Sequence, residues 1–218
     1  MSGYKRASSS LVIERRRVAI KSVCCTIFVA ISTFGAHAAP VARMQMILSN
    51  STLPPVAHTI FCMHYPGECA ETVGAASFFS SSAPALYTAL DTVNRHVNIA
   101  IRPIREKSGH ILTNRWLLSP LSGNCNDYAV SKRHELLLLG WPSWALLLAE
   151  VVLANGEHHL VLVANASGES FVLDNLKPGV VPLTEAADYR WLRIESPDDP
   201  KSWIAFDSAE PRSATANR

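Results

Sequence analysis

Three residues in this chain have types and an order that could perform acyl-transfer chemistry. Cys125 lies in Gly123-Asn124-Cys125-Asn126-Asp127-Tyr128, His159 in Glu157-His158-His159-Leu160, and Asp174 in Val172-Leu173-Asp174-Asn175-Leu176. A thiol must lose its proton to become a nucleophile, and an imidazole in contact can take it. A carboxylate behind the imidazole fixes its tautomer and stabilises its charged form. A cysteine in the first turn of a helix also faces unpaired backbone N–H groups and the positive end of the helix dipole. Those groups favour a thiolate and can hold a tetrahedral oxyanion.

For the three to meet, the chain must supply one helix start and two adjacent strands. Asn124 is a suitable N-cap, and Gly140 followed by Pro142 is a suitable stop, which predicts a helix from Cys125 to about Leu139. Strand-like runs follow over 145–153, 159–164, 170–174, 190–195 and 203–206, separated by Ala154-Asn155-Gly156, Asn165-Ala166-Ser167-Gly168 and later turns. If the strands carrying His159 and Asp174 pair about a four-residue loop, Asn165–Gly168, Ala164 faces Glu169 and His159 faces Asp174. Opposite residues share a face of a sheet. A loop one residue shorter would bring His158 to the site instead.

Upstream, Leu86, Leu90, Val93, Val97 and Ile101 recur at spacings of three and four, which predicts an amphipathic helix over 85–101 ending before Pro103. Residues 39–60 are read as extended around Pro54-Pro55, and 102–122 as irregular. Helices followed by an antiparallel sheet make an α+β fold.

The first 38 residues read as an export signal. Lys5, Arg6, Arg15, Arg16, Arg17 and Lys21 form a basic lead, Val23 to Phe34 an apolar stretch, and Ala36-His37-Ala38 a cleavage site. An uncleaved anchor is the alternative, disfavoured by the shortness of the apolar stretch. The segment carries 6 of the 20 basic residues and 1 of the 18 acidic ones, so the mature chain has 14 and 17, a net charge of −3. No basic patch points to nucleic acid. Hydrophobic residues make up 48% and charged residues 17%, which is a globular balance, and no run in the body is long enough to span a membrane. The expected location is the periplasm or the exterior, without membrane contact after cleavage.

Three cysteines remain in the mature chain. In an oxidising compartment Cys62 and Cys69 could bridge around Tyr65-Pro66-Gly67, leaving Cys125 as the odd thiol; the other reading has both as buried thiols. The histidines show no zinc-ligand spacing.

The sequence resembles the bacterial transglutaminase-like cysteine proteinases over residues 55–206. The residues that carry the likeness are Phe61-Cys62, Tyr65-Pro66, Glu68-Cys69, Val93-Asn94-Arg95, Val97-Asn98 and Trp116, then Cys125 with Asp127-Tyr128-Ala129, Lys132-Arg133, Gly140-Trp141-Pro142, His159 and Val172-Leu173-Asp174-Asn175-Leu176. The resemblance implies a papain-like or transglutaminase-like core, with Cys125 as nucleophile, His159 as base and Asp174 as its orienter. It divides the chain into a signal peptide (1–38), an extended arm (39–54), a peptidase domain (55–207) and a flexible tail (208–218).

The implied reaction is hydrolysis of a protein or peptide substrate, an envelope or cell-surface protein among the options, through a thioester acyl-enzyme. Transfer of the acyl group to an amine, or a non-enzymatic binding role on the same fold, are the alternatives. Many such proteinases have Asp-Cys-Glu-Asp at the nucleophile, and the best-studied branch uses that neighbourhood for calcium and cleaves surface adhesins. Here Asn124 and Asn126 flank the cysteine, and uncharged amide oxygens hold calcium less tightly. The expectation is therefore no required cofactor, with Asp127 a weak calcium candidate and calcium doubtful.

Overall fold

The computed structural model describes residues 48–104 and 115–206. The stretches read as a signal and a tail and the first part of that read as an arm lie outside the described residues, as does much of the stretch read as irregular.

Seven strands form one sheet in the order β1 (Leu48–Thr52), β9 (Trp203–Phe206), β8 (Arg190–Glu195), β4 (Leu146–Val152), β5 (His158–Ala166), β6 (Glu169–Leu173) and β7 (Val181–Pro182). Every pairing in it is antiparallel. On one face pack α3 (Ala83–Ala100) and α4 (Cys125–Leu138). A short parallel pair, β2 (Arg102–Pro103) and β3 (Ser122–Gly123), links the two helices. The α+β architecture read from the sequence is the one observed.

The sheet centre is covered on both sides, so β4 and β5 read as nearly unbroken apolar runs. Leu146, Leu148, Leu160 and Leu162 face the main core under the helices. Leu147, Ala149, Val151, Val161 and Val163 build a second cluster with Val172, Ala186, Tyr189 and Ile194. In α3 the stripe Leu86, Leu90, Val93 and Val97 is buried as its spacing requires. Helix α4 is different, because Lys132 and Arg133 are buried along with Tyr128, Ala129, Val130 and Leu136. It is stopped by Gly140, whose φ of +87° suits glycine and where an added Cβ would sit 2.7 Å from the Ala75 Cβ.

Besides the short helix α2 (Ala76–Ser80) and the strand β7, which the sequence reading did not include, two differences from it bear on the site. Within the stretch taken as extended, Val56–His64 forms a helix, α1, directly after Pro55. It buries only His58 and Phe61, too few positions to show a periodicity. The β5–β6 turn is also shorter than expected. Ser167 (φ 52°) and Gly168 (φ 82°) form a two-residue turn with both residues left-handed, so Ala166 faces Glu169 and Ala164 faces Phe171. The ladder thus slips by two residues, and His159 is not directly opposite Asp174, which lies just past the end of β6. A two-residue slip preserves side-chain parity, so the two residues still project to one face. A slip of one would have exchanged His159 for His158.

Cys62, at the end of α1, is disulfide-bonded to Cys69 in the short helical turn Pro66–Cys69. Beneath it lies a buried ionic network. The Trp203 indole donates to His58 Nδ1 (3.3 Å), so His58 Nε2 carries its proton and donates to Glu195 Oε1 (2.9 Å). Glu195 Oε2 accepts from the Leu148 amide (2.8 Å) and lies 3.6 Å from Arg133 Nε, which donates to the Leu146 carbonyl (3.1 Å). Arg133 Nη1 donates to the Glu68 carbonyl, and the Glu68 carboxylate meets His134 (2.6 Å). Both charges are fully buried, so the network binds α1, α4 and the sheet into one unit. No helix among the described residues is long and apolar enough to cross a membrane.

Candidate active site

Cys125 is the first residue of α4, half-buried, and the free cysteine among the described residues. The local sequence fixes that helix start by a capping box. Asn124 Oδ1 accepts from the Asn126 amide (3.0 Å), and Asp127 Oδ2 accepts from the Asn124 amide (2.9 Å). Asp127 Oδ1 also accepts from the Leu117 amide (2.8 Å), and Ser131 Oγ from the Ser119 amide (2.8 Å). These bonds lay residues 117–119 along the first turns of α4. Trp116 is thereby buried at the cleft beside Cys125, stacked near His58 and Phe61, with its indole N–H unpaired among the described residues.

Gly123 makes room for this cap. An added Cβ there would lie 2.8 Å from the Asp127 Cβ and overlap its carboxylate. Gly123→Ala is expected to dislodge the cap and lower stability by about 1–2 kcal/mol, read from urea denaturation, with a parallel fall in Cys125 alkylation by iodoacetamide.

His159 is the second residue of β5 and is 5% exposed; its Nε2 lies 2.7 Å from Asp174 Oδ1. The Cys125 thiol is close enough to the ring to act on its charge. Burial opposes charging the ring. The hydrogen bond to Asp174, with the charges of Asp174 and Cys125, outweighs it and raises the His159 pKa to about 9.

Asp174 is held in turn. Its Oδ1 also accepts from the Leu176 amide (3.0 Å), and its Oδ2 accepts from the Tyr189 hydroxyl. Burial works against its charge, but the His159 contact and these donors keep its pKa below the ordinary carboxylate value. Burial and the neighbouring carboxylate push the Tyr189 phenol far up, so it stays a donor. From α3, the Asn98 amide donates to the Asp174 carbonyl (3.1 Å).

His158, the alternative base, points elsewhere. It is exposed and its Nδ1 meets Glu150 Oε1 (2.6 Å), whose other oxygen pairs with Arg193. Cys125, His158 and His159 line a cleft of about 960 Å³ together with Trp116, Asn155–Glu157 and Asn175–Leu176.

Tyr189 was not singled out by the sequence, and Asn98 entered only as part of the family likeness, with no role attached to it. Tyr189 sits on the connection into β8, 15 residues beyond its partner, and no spacing rule links it to the site. Tyr189→Phe keeps the ring packing but removes one donor to the carboxylate. The expected result is a drop in kcat of about three- to tenfold with KM unchanged, corresponding to about 0.7–1.4 kcal/mol for one lost hydrogen bond on a carboxylate that keeps its other donors.

Among the described residues, one set of three metal-capable side chains comes together: His58, Cys62 and Cys69. Two of these are joined as a disulfide, so they are not thiolate ligands.

A family model for the bacterial transglutaminase-like cysteine proteinase (BTLCP) matches residues 48–211. No curated protein matches the chain. Among solved structures, calcium-bound LapG of Legionella pneumophila is similar at 19% identity and a TM-score of 0.47, covering 61% of this chain and 75% of its own. Two further LapG structures from that organism match at 21% identity. One covers 50% of this chain and 63% of its own (TM-score 0.42). The other, EGTA-treated, covers 55% and 67% (TM-score 0.44).

The calcium-bound form overturns the expectation that no cofactor is required and that calcium is doubtful: calcium is involved in a protein of this fold family. The residues beside Cys125 do not by themselves make a calcium cage. Asp127 is the one carboxylate among Asn124–Asp127, and both its oxygens accept backbone amides.

Proposed function

This chain belongs to the bacterial transglutaminase-like cysteine proteinases and is a cysteine peptidase, and from that premise we propose that Cys125, His159 and Asp174 hydrolyse peptide bonds of a protein substrate through a thioester acyl-enzyme. The supporting observation is a single one: His159 is buried, hydrogen-bonded to the Asp174 carboxylate, and shares one cleft with the Cys125 thiol that acts on its charge. The proton of Cys125 passes to His159. The sulfur attacks the peptide carbonyl carbon, and the carbonyl oxygen takes the negative charge against the exposed amides of the α4 N-terminus. The C–N bond then breaks as the imidazolium gives its proton to the leaving amine. His159 next removes a proton from water, the hydroxide attacks the thioester, and the thiolate leaves. Asp174 stays ionised and holds the ring through Nε2.

The decisive assay is digestion of an unfolded protein substrate with and without excess primary amine, read by mass spectrometry. Free carboxylate ends are expected, and none from a Cys125→Ala variant. Amine adducts in preference to acids would reject hydrolysis in favour of acyl transfer. Running both arms with added Ca²⁺ and after EGTA decides the ion's place: activity lost in EGTA and restored by Ca²⁺ assigns calcium to this chain.

The proposed location is the periplasm or the exterior, supported by the basic lead, the apolar stretch and Ala36-His37-Ala38, and by the Cys62–Cys69 bridge. A substrate in the cell envelope or on its surface follows. New protein termini seen in the parent and missing from a Cys125→Ala strain would name it.

A further inference from the structure

Two aliphatic side chains stand exposed on the lining of the Cys125 cleft, Ile104 (48%) and Leu176 (56%). A single exposed aliphatic residue is ordinary on a protein surface. These two are set apart by what holds them. The Ile104 amide donates to the Gly123 carbonyl (2.9 Å), two residues ahead of Cys125, and the Leu176 amide donates to Asp174 Oδ1 (3.0 Å). Each is therefore tied by its backbone to a segment that carries a residue of the triad. Asn98, near the end of α3, donates to the Asp174 and Lys177 carbonyls (3.1 and 3.4 Å). That holds the segment around Leu176 against the helix end from which the chain runs on through β2 to Ile104.

The other leucines of the cleft, Leu153 and Leu160, pack against the two core clusters, but Ile104 and Leu176 belong to neither. The fold gains nothing from leaving them in water. The cleft is also one-sided in polarity. His159 on β5 lies between β6, which leads to Leu176, and β4, whose turn into β5 carries Asn155 and Glu157, both exposed and polar.

We propose that Ile104 and Leu176 are specificity-determining residues that seat an apolar side chain of the substrate, on a residue beside the bond that Cys125 cuts. This rests on the reading of Cys125 as nucleophile given above. An extended substrate advances about 3.3 Å per residue and turns alternate side chains to opposite sides. One side chain then faces the Ile104–Leu176 wall while its neighbours face the polar turn. An aliphatic or aromatic side chain on that wall removes both surfaces from water, whereas a polar one leaves the wall wet or gives up its own hydration.

Digestion of a mixed peptide library with Ca²⁺ present, with cut sites read by mass spectrometry, tests this. Expected is an aliphatic or aromatic residue enriched at one position within two residues of the cut. In Ile104→Ser the ratio of kcat/KM for leucine over serine at that position should fall about tenfold. In Ile104→Glu the preference should turn toward lysine and arginine, with a Tm that does not fall. Cut sites without an apolar preference, or a preference that neither variant moves, overturn the proposal. A second measurement needs no turnover. In Cys125→Ala, the Ile104 δ1 methyl NMR signal, assigned by its loss in Ile104→Val, should shift on adding a blocked pentapeptide of glycines with leucine at its centre, and not with serine there. Equal responses to both peptides, or none to either, overturn it. The two claims fail separately. Cuts that persist in Cys125→Ala sink the triad, whereas Cys125-dependent cuts with no apolar preference sink only the role of Ile104 and Leu176.

Discussion

His159→Ala is expected to lower peptide turnover by about three orders of magnitude, with Cys125 alkylation by iodoacetamide slowed in parallel. In the proposed reaction the ring takes the proton of the thiol and later protonates the leaving amine, so both halves of that reaction lose their proton carrier. The pH dependence carries the same signature. With the His159 pKa raised to about 9, the imidazolium persists through neutral pH, and activity is expected to decline as pH rises through about 9. Folding stability follows the same group. The contribution of the charged ring is full below its unfolded value of about 6.5 and is lost as pH rises through about 9. In His159→Ala the alkaline limb disappears and stability flattens across that window. Urea melts at several pH values, beside kcat/KM profiles, would show both. An unchanged alkylation profile in the variant would remove the catalytic pair.

Glu195→Ala is expected to destabilise the protein by about 3–5 kcal/mol, the usual result of stripping one partner from a buried ion pair. The carboxylate is 1% exposed and answers three donors at once: the His58 ring, the Leu148 amide and, at 3.6 Å, the Arg133 guanidinium. Without it, Arg133 retains carbonyl partners but no close carboxylate at Nε, and the Leu148 amide loses its acceptor. Urea denaturation measures the loss. The double variant with Arg133→Met should recover part of it, because both charges are then gone. No recovery would mean that the packing of Glu195, not its charge, supports the fold. Because Arg133 follows Cys125 by eight residues on the same helix, the variant should also lose activity below its unfolding temperature.

The parts of the site legible from sequence are those written in local chemistry. The Asn124 cap, the Gly140 stop, the stripe on α3 and the strand pattern from Leu146 to Phe206 each follow from a few neighbouring residues. The hairpin register did not follow, because Asn165-Ala166-Ser167-Gly168 suits a four-residue loop as well as a two-residue turn. Only the left-handed Ser167 and Gly168 choose between them. The pairing of His159 with Asp174 survived because the slip was even in residues. Tyr189, Glu195 and the burial of Lys132 and Arg133 depend on contacts between residues far apart in the chain. On α4 they read as an ordinary polar helix face, since nothing in a helical sequence distinguishes a lysine facing water from one enclosed by a sheet.

The seven-residue separation of Cys62 and Cys69 has a bearing on how the enzyme matures. Any rival bridge to Cys125 must close a span of more than 50 residues, and the entropy of joining distant chain ends disfavours it by about 2 kcal/mol relative to the short ring. In the oxidising compartment proposed above, oxidation among these three thiols is biased roughly twentyfold toward the short ring, which leaves Cys125 reduced for the proposed reaction.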